Sequence, residues 1–424
     1  MSRPIHIRSL VSLLTAVWVT QSAAADFALP DPLRLHNVAA IARGSRAEVS
    51  AAHARAEALA QRPAIVSALD EPTISASIDH YPYRNPMMEG GRRYDQSFTI
   101  EQRFPLSRVR THRGDAARAD AARARSLAAA AELDVVLDAQ RNFLMLHEKR
   151  RMKRVIDEQI SLARELVSAA ATRYASGAGV QADILRAEVE VARLRAEQQA
   201  LEAQTRAAEA MLNVSLGRPA QATIPALQYK PFRDEPASET VVLGRAFSNR
   251  PELGAGAAEV DRARAELAVM RSMYKPMVMV RIGQARTMSE GSGAMLMIGV
   301  SVPLWRGRLD AGVSEALAMQ RMADADLESM RSMVSGEVLA ARERVVAARA
   351  QLLAMELEVL PRALVATDSA LAGYASGKGS LVAVIESART LWSLQAELVM
   401  VESSIGDAWA RLDRALGEVL VARE

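Results

Sequence analysis

The chain of 424 residues contains no cysteine. That excludes a disulfide framework, a thiolate metal centre and a thiol that could accept a lipid after an export signal. Aromatic residues make up only 4%, while alanine, arginine, glutamate and leucine fill long stretches, the composition of long helices or coiled coil. The six histidines (His6, His36, His53, His80, His112 and His147) are scattered without metal-ligand spacing. No nucleophile elbow, phosphate-binding loop, H-E-x-x-H or C-x-x-C occurs, so neither an enzyme nor a cofactor is expected. Beyond the N-terminal residues there is no run approaching the roughly 20 apolar residues that a membrane helix needs. Lysine and arginine number 53 against 50 acidic residues, a near-balance that gives no reason to expect a nucleic-acid partner.

Residues 1–25 read as a secretory signal: Arg3 and Arg8, an apolar stretch from Leu10 to Val19, then Ala23-Ala24-Ala25. Its removal takes two arginines and no acid from a net charge of +3, leaving +1. The protein is therefore expected to be exported.

What the chain does have is a long internal repeat. Arg173-Tyr174-Ala175-Ser176-Gly177-Ala178-Gly179 returns as Gly373-Tyr374-Ala375-Ser376-Gly377-Lys378-Gly379, an offset of 200 residues. The match runs on without a gap through Leu185 and Ile385, Leu194 and Leu394, Glu197 and Glu397, to Leu216-Gly217 and Leu416-Gly417. Each copy is a glycine-broken turn followed by a helix with apolar 3/4 spacing, a coiled-coil seam. The chain divides accordingly into a first repeat at 26–217, a Pro-rich linker at 218–239, a second repeat at 240–417 and a short tail at 418–424.

In order, the first repeat predicts a helix from Leu33 to Leu69 with a break near Gly44-Ser45, then two alternating strands at 73–81 and 96–104. A helix from about Ser107 to Thr172 follows, a rod of about 100 Å at 1.5 Å per residue. After the turn a helix spans Val180 to Leu216. The second repeat gives short helices at 241–247 and 251–273, strands at 276–282 and 294–302, and a loop at 289–293 between them. A long helix from Arg308 to Ala372 is interrupted only by Gly312, Gly336 and Pro361, and the repeated turn and seam complete the copy.

The strands have about the 9–11 residues of a tilted membrane strand. Four cannot close a membrane barrel, which takes about eight, and an open edge is not tolerated in lipid. Several chains must then share one barrel, and three would supply twelve strands.

The doubled helix–strand–strand–helix order, the Tyr-Ala-Ser-Gly turns, and the phrases Gln102-Arg103-Phe104-Pro105-Leu106 and Ser301-Val302-Pro303-Leu304 resemble the TolC-like outer-membrane efflux channels. Within that family, Asp183-Ile184-Leu185-Arg186-Ala187 after the first turn and the ending Leu212-Asn213-Val214-Ser215-Leu216-Gly217-Arg218-Pro219 resemble the heavy-metal branch that serves resistance-nodulation-division pumps. The resemblance implies a mainly α fold with a small membrane β part: a homotrimer with a 12-stranded β-barrel and a periplasmic helical barrel. It implies an outer-membrane location, contact with outer-membrane lipid, a periplasmic adaptor, and an inner-membrane pump.

The resemblance also assigns candidate residues. Tyr174 and Gly177, with Tyr374 and Gly377, would form the periplasmic tips where an adaptor docks; the plainer reading is a tight helix reversal that needs glycine. Asp183 and Glu386 fall where relatives place gate carboxylates, although Ala383 stands where relatives often have Asp. A threefold ring of carboxylates would favour cations, and a solvated helix face is the simpler alternative. Strand alternation puts Met277, Met279, Met295 and Met297 on the inner face if Val278, Val280, Ile282, Leu296, Ile298, Val300 and Val302 meet lipid. Thioethers suit soft metals, and methionine is also ordinary filler. The expected function is a passive exit duct for heavy-metal cations. The alternatives are a duct for drugs or secreted polypeptides, or a periplasmic coiled-coil adaptor without a pore.

Overall fold

Alanine, leucine, arginine and glutamate all favour helix, so helices run here until proline, glycine or a strand stops them. The computed structural model describes residues 29–79, 94–287 and 291–419. The expected signal, the last two residues of the strand expected at 73–81, most of the stretch between the two first-repeat strands and most of the tail lie outside the described residues.

The first half contains β1 (Leu33–Arg34), α1 (Leu35–Ser45), α2 (Ala47–Ser67), β2 (Thr73–Asp79), β3 (Asp95–Pro105), α3 (Val109–Ala175) and α4 (Gln181–Ser215). A connecting segment holds β4 (Leu227–Gln228). The second half contains α5 (Glu239–Asn249), α6 (Pro251–Ser272), β5 (Met277–Thr287), β6 (Gly291–Ser301), α7 (Arg306–Ala354), α8 (Leu360–Ala375) and α9 (Leu381–Leu416). A π-helical turn, Met355–Val359, joins α7 to α8.

Helix α3 is the longest element at 67 residues, about 100 Å of rod. Helices α2, α4, α6 and α9 all pack against it. Two apolar clusters repeat the 200-residue offset. In one, Ala208, Leu212 and Leu216 of the α4 end meet Val135, Phe143 and Leu144 of α3. In the other, Ala408, Leu412 and Leu416 meet Val338, Val345 and Leu352 of α7. Both seams end on a left-handed glycine, Gly217 with φ 67° and Gly417 with φ 74°. A Cβ at Gly217 would lie 2.7 Å from the Ser45 carbonyl oxygen, and one at Gly417 would lie 2.7 Å from that of Asn249. Only glycine permits both the backbone conformation and the approach. The Ser45 hydroxyl also donates to the Leu216 carbonyl at 2.8 Å, joining the α1–α2 break to the end of α4.

The structure moves several sequence-predicted boundaries. The early helix begins only at Leu35 and parts at Arg46, because Leu33 and Arg34 pair in parallel with Leu227 and Gln228. The Pro-rich linker is therefore tied down rather than free. Strand β5 does not end at Ile282 but continues to Thr287, and β6 starts at Gly291 rather than 294. Gly283 to Ala285 pair with Thr99 to Ser97 of β3, and Gly291 to Gly293 pair with Thr287 to Ala285. Of the residues read as a loop, 289 and 290 lie outside the described residues, and Gly291 to Gly293 are held by ladder hydrogen bonds that override their turn preference. The second long helix runs from Arg306 to Ala375, past Pro361. Proline has no amide hydrogen and crowds the carbonyl four residues before it. The π turn absorbs this one residue earlier, where the Leu360 amide bonds the Met355 carbonyl.

Strands β2, β3, β5 and β6 form one antiparallel sheet in that order. Ile74, Ile100, Ile282 and Leu296 make one cross-strand row, and Thr73, Glu101, Arg281 and Met297 make the next. Successive rows face opposite sides, so one side is apolar and the other polar. Ile74 is 64% exposed and Leu296 68%, so this chain leaves its apolar side uncovered.

At mid-rod, His147 of α3 stands edge-on to Tyr229 with ring centroids 5.3 Å apart. Burial, with help from Arg151 and Arg154, pushes its imidazole down to about 4. The unfolded chain takes up a proton near pH 6.5 that the folded chain refuses until about pH 4. His147 therefore leaves stability intact above pH 6.5 and lowers it as pH falls from there toward 4. The loss is on the order of 3 kcal/mol at full shift. Thermal unfolding between pH 7 and 4 is expected to show this slope in the wild type and a shallower one in His147→Gln. Identical slopes would remove His147 from the account.

Candidate functional site

The two repeated turns share most of their backbone bonds, and the second adds Gly379 N donating to Gly373 O at 2.9 Å. Gly177 N donates to Tyr174 O at 3.0 Å and Ala178 N to Arg173 O at 2.8 Å. In the second turn Gly377 N donates to Tyr374 O and Lys378 N to Gly373 O, each at 3.0 Å. Gly177 and Gly377 adopt φ of 74° and 77°, the left-handed conformation that ends each helix. The Ser176 and Ser376 hydroxyls each donate to the carbonyl three residues back, at 3.0 and 3.1 Å.

The side chains differ between the two copies. Tyr174 is 49% exposed and Tyr374 only 5%. Tyr374 packs among Leu166, Ala170, Ala187, Leu381 and Val384. The Arg173 guanidinium lies 4.7 Å from the centre of the Tyr374 ring. It also donates to the Tyr374 carbonyl oxygen, and through Nη2 to Ala178 O at 3.2 Å. One arginine thus ties the first turn to the second through a charge-assisted bond and a cation–π contact. The matching residue in the second copy, Gly373, has no side chain, so no second tie mirrors it.

The two candidate gate carboxylates are not joined by any bond among the described residues. Asp183 opens α4, is mostly covered, and pairs with Arg186 at 3.4 Å. It faces the second turn closely enough that, after burial itself, its charge helps raise the Tyr374 phenol above its usual range. Glu386 lies a turn into α9, largely exposed, and pairs with Arg389 at 3.1 Å. Each is partly neutralised by an arginine three residues on.

Sequence reasoning missed the carboxylate that does join α4 to α9. Glu190 is 2% exposed. Arg193 approaches it at 3.2 Å, and Arg389 of α9 bonds its other oxygen. The Arg389 bond, seconded by Arg193, holds its carboxyl below the usual range despite burial. The signal was present: Glu190 sits between Ala187 and Leu194 in an otherwise apolar seam. It lies in a cleft of about 410 Å³ between α4 and α9, beside the apolar Leu185, Val189 and Val382.

On the sheet, register places Met277, Met279, Met295 and Met297 on the polar side. Across the ladder they face Ser301, Gly299, Gly283 and Arg281 respectively, so no two methionines are directly opposed. Glu101 accepts from Arg103 and from Arg281 Nε, each at 3.1 Å, binding two guanidiniums to one carboxylate on that side. The methionine strip therefore lies beside net positive charge, an unfavourable place to hold a bare cation. No cluster of three or more His, Cys, Asp or Glu suited to a metal exists among the described residues.

A rod of about 100 Å carrying a four-stranded sheet with an uncovered apolar side is the subunit architecture of a barrel-forming channel. No helix among the described residues is long and apolar enough to cross a membrane. The chain belongs to the outer membrane efflux protein family, whose model matches residues 38–218 and 242–418, one stretch in each half. It is similar to the cobalt-zinc-cadmium resistance protein CzcC of Cupriavidus metallidurans, at 24% identity over 395 residues, covering 91% of this chain and 90% of that one. Its fold is that of the channel CusC, with TM-score 0.80, 14% identity and coverage of 91% and 92%. It is also that of the outer membrane protein VceC from Vibrio cholerae, with TM-score 0.76, 17% identity and coverage of 91% and 96%. The TolC-like fold and outer-membrane location expected from the sequence are thus borne out, and the pore-less adaptor alternative falls.

Glu190→Ala removes the carboxylate that joins Arg389 of α9 to α4, and leaves Arg389 with Glu386 and Arg193 with Glu197 as their remaining partners. With both arginines partly exposed, the expected cost is about 1–2 kcal/mol, read as a lower unfolding midpoint and faster tryptic cleavage after Arg389. If neither changes, the Glu190 bridge does not hold α4 to α9.

Proposed function

We propose that the protein is the exit duct of a tripartite export system, a homotrimer whose four-stranded sheets join into one 12-stranded barrel over a helical periplasmic tunnel. The observation that carries this reading is a sheet with two unpaired edges, β2 and β6, and an uncovered apolar side. In hydrocarbon those edges find partners only in further copies.

The cargo is heavy-metal cations. Support comes from the similarity to CzcC, named for cobalt, zinc and cadmium resistance, over nine-tenths of both chains. The duct itself is passive; a resistance-nodulation-division pump supplies the energy, and a periplasmic adaptor docks on the turns at Tyr174–Gly177 and Tyr374–Gly377. Asp183 and Glu386 form carboxylate rings at the periplasmic entrance, and Arg173 holds the second turn against the first while the entrance is closed. The methionines of the sheet serve as lining.

Growth of a deletion strain on graded cobalt, zinc, cadmium, copper and silver, beside a drug and detergent panel, tests the cargo. Sensitivity confined to metals is expected. Sensitivity to drugs alone would keep the duct and overturn the metal reading. For the entrance, Asp183→Ala with Glu386→Ala is expected to raise single-channel conductance several-fold in planar bilayers and reduce cation preference. Unchanged conductance would return both residues to the solvated helix face.

A further inference from the structure

At the strand-to-helix joint of the second half, apolar alternation outlasts the strand. Leu296, Ile298 and Val300 of β6 are exposed on the lipid side, and Val302 and Leu304 continue the row beyond it. Next comes Trp305, 78% exposed, whereas Trp392 and Trp409 are 4% and 3% exposed. A bare indole beside an apolar row that already faces lipid is a wet-edged membrane contact rather than core.

Three cations share this end of the sheet. Lys275 precedes β5, and Arg306 and Arg308 open α7; all three are exposed and form no ion pair among the described residues. The neighbouring carboxylate, Asp310, accepts from the Tyr274 hydroxyl, and the Arg306 guanidinium stands 5.6 Å from the Tyr274 ring centre. The first half keeps an exposed Leu106 and Arg108 at the positions of Leu304 and Arg306 but lacks the rest of the set. Ser107 follows Leu106 where Trp305 follows Leu304, and Arg110 is committed to the Ser67 carbonyl at 2.7 and 2.9 Å.

We propose that Leu304 and Trp305, with Lys275, Arg306 and Arg308, form a binding site for anionic phospholipid in the periplasmic leaflet of the outer membrane. The indole sits at the boundary between headgroup and acyl chain, where tryptophan concentrates in membrane proteins. The ammonium and two guanidiniums meet the anionic headgroup layer, each adding attraction to an anionic surface. The site is continuous with the lipid side of the sheet and rests on the barrel reading above. Repeated on each copy, it fixes the depth of the barrel at its periplasmic rim.

The test uses the full chain in phosphatidylcholine vesicles containing phosphatidylglycerol, with bromine placed on either lipid near the headgroup or deep in the chain. The Trp305 signal is the emission that Trp305→Phe removes; Trp392 and Trp409 are buried among helices. Shallow bromines are expected to quench it strongly and deep ones weakly, and brominated phosphatidylglycerol should quench on the order of fivefold more effectively than phosphatidylcholine. Replacing Lys275, Arg306 and Arg308 by Gln should erase that preference and keep the shallow quenching. Equal quenching by both lipids in the wild type would overturn the anionic site. No quenching in protein that still conducts would show the collar covered by a second copy or an adaptor, overturning the site and leaving the duct. Protein that neither inserts nor conducts would overturn the barrel reading and the site with it.

Discussion

A strand edge in hydrocarbon leaves a row of amide and carbonyl groups without partners, each at a cost of several kcal/mol. That penalty governs this molecule. Four strands in the order β2-β3-β5-β6 leave two such edges, and no rearrangement within one chain removes both. The same sheet exposes Ile74, Ile282 and Leu296 on one side and holds Thr99 and Glu101 buried on the other. A soluble monomer would carry that uncovered apolar surface at a loss. Closure among copies and immersion in lipid resolve both problems together. The helices then stand below the sheet because each strand pair flows into one rod at Pro105 or Pro303.

Much of this was legible because it rests on period. A two-residue alternation assigns sides without knowledge of partners, so the apolar row on β5 and β6 and the methionines opposite it could be read directly. The 200-residue repeat likewise exposed the twin turns and seams. What stayed hidden depends on meetings between distant residues. Leu33 pairs with Leu227 through strands of two residues each, too short to leave a pattern. Gly291-Ser292-Gly293 look like a loop until the neighbouring strand is present to hold them. The repeat announced that the two turns correspond, but not that Arg173 of one reaches across to Tyr374 of the other. Glu190 was visible as an acid in an apolar seam, yet its meaning required Arg389 from the opposite half.

The places where the halves agree and differ separate structure from mechanism. Gly217 and Gly417, the two apolar clusters and most backbone bonds of both turns are duplicated, as expected of features that each rod needs in order to pack. The differences gather elsewhere. Arg173 has Gly373 as its counterpart, Asp183 has Ala383, Trp305 has Ser107, and continuous α3 has a second rod broken by a π turn before Pro361. Two of these lie at the turns, one in the middle of a rod and one at the rim of the sheet. A faithful duplication would give a trimer six equivalent rods that could only move alike. With the tie anchored on one turn and the helix irregularity placed on the other rod, the two hairpins are mechanically unequal. The second is the one whose helix tolerates bending, since a π turn beside proline has already given up regular α-helical bonding. It is also the one whose Tyr374 is held by Arg173 of the first turn, beside its packing against Leu381 and Val384 of its own hairpin. A restraint between the tips and an irregular helical turn in the rod thus fall on the same hairpin, and the first hairpin has no counterpart to the π turn among the described residues.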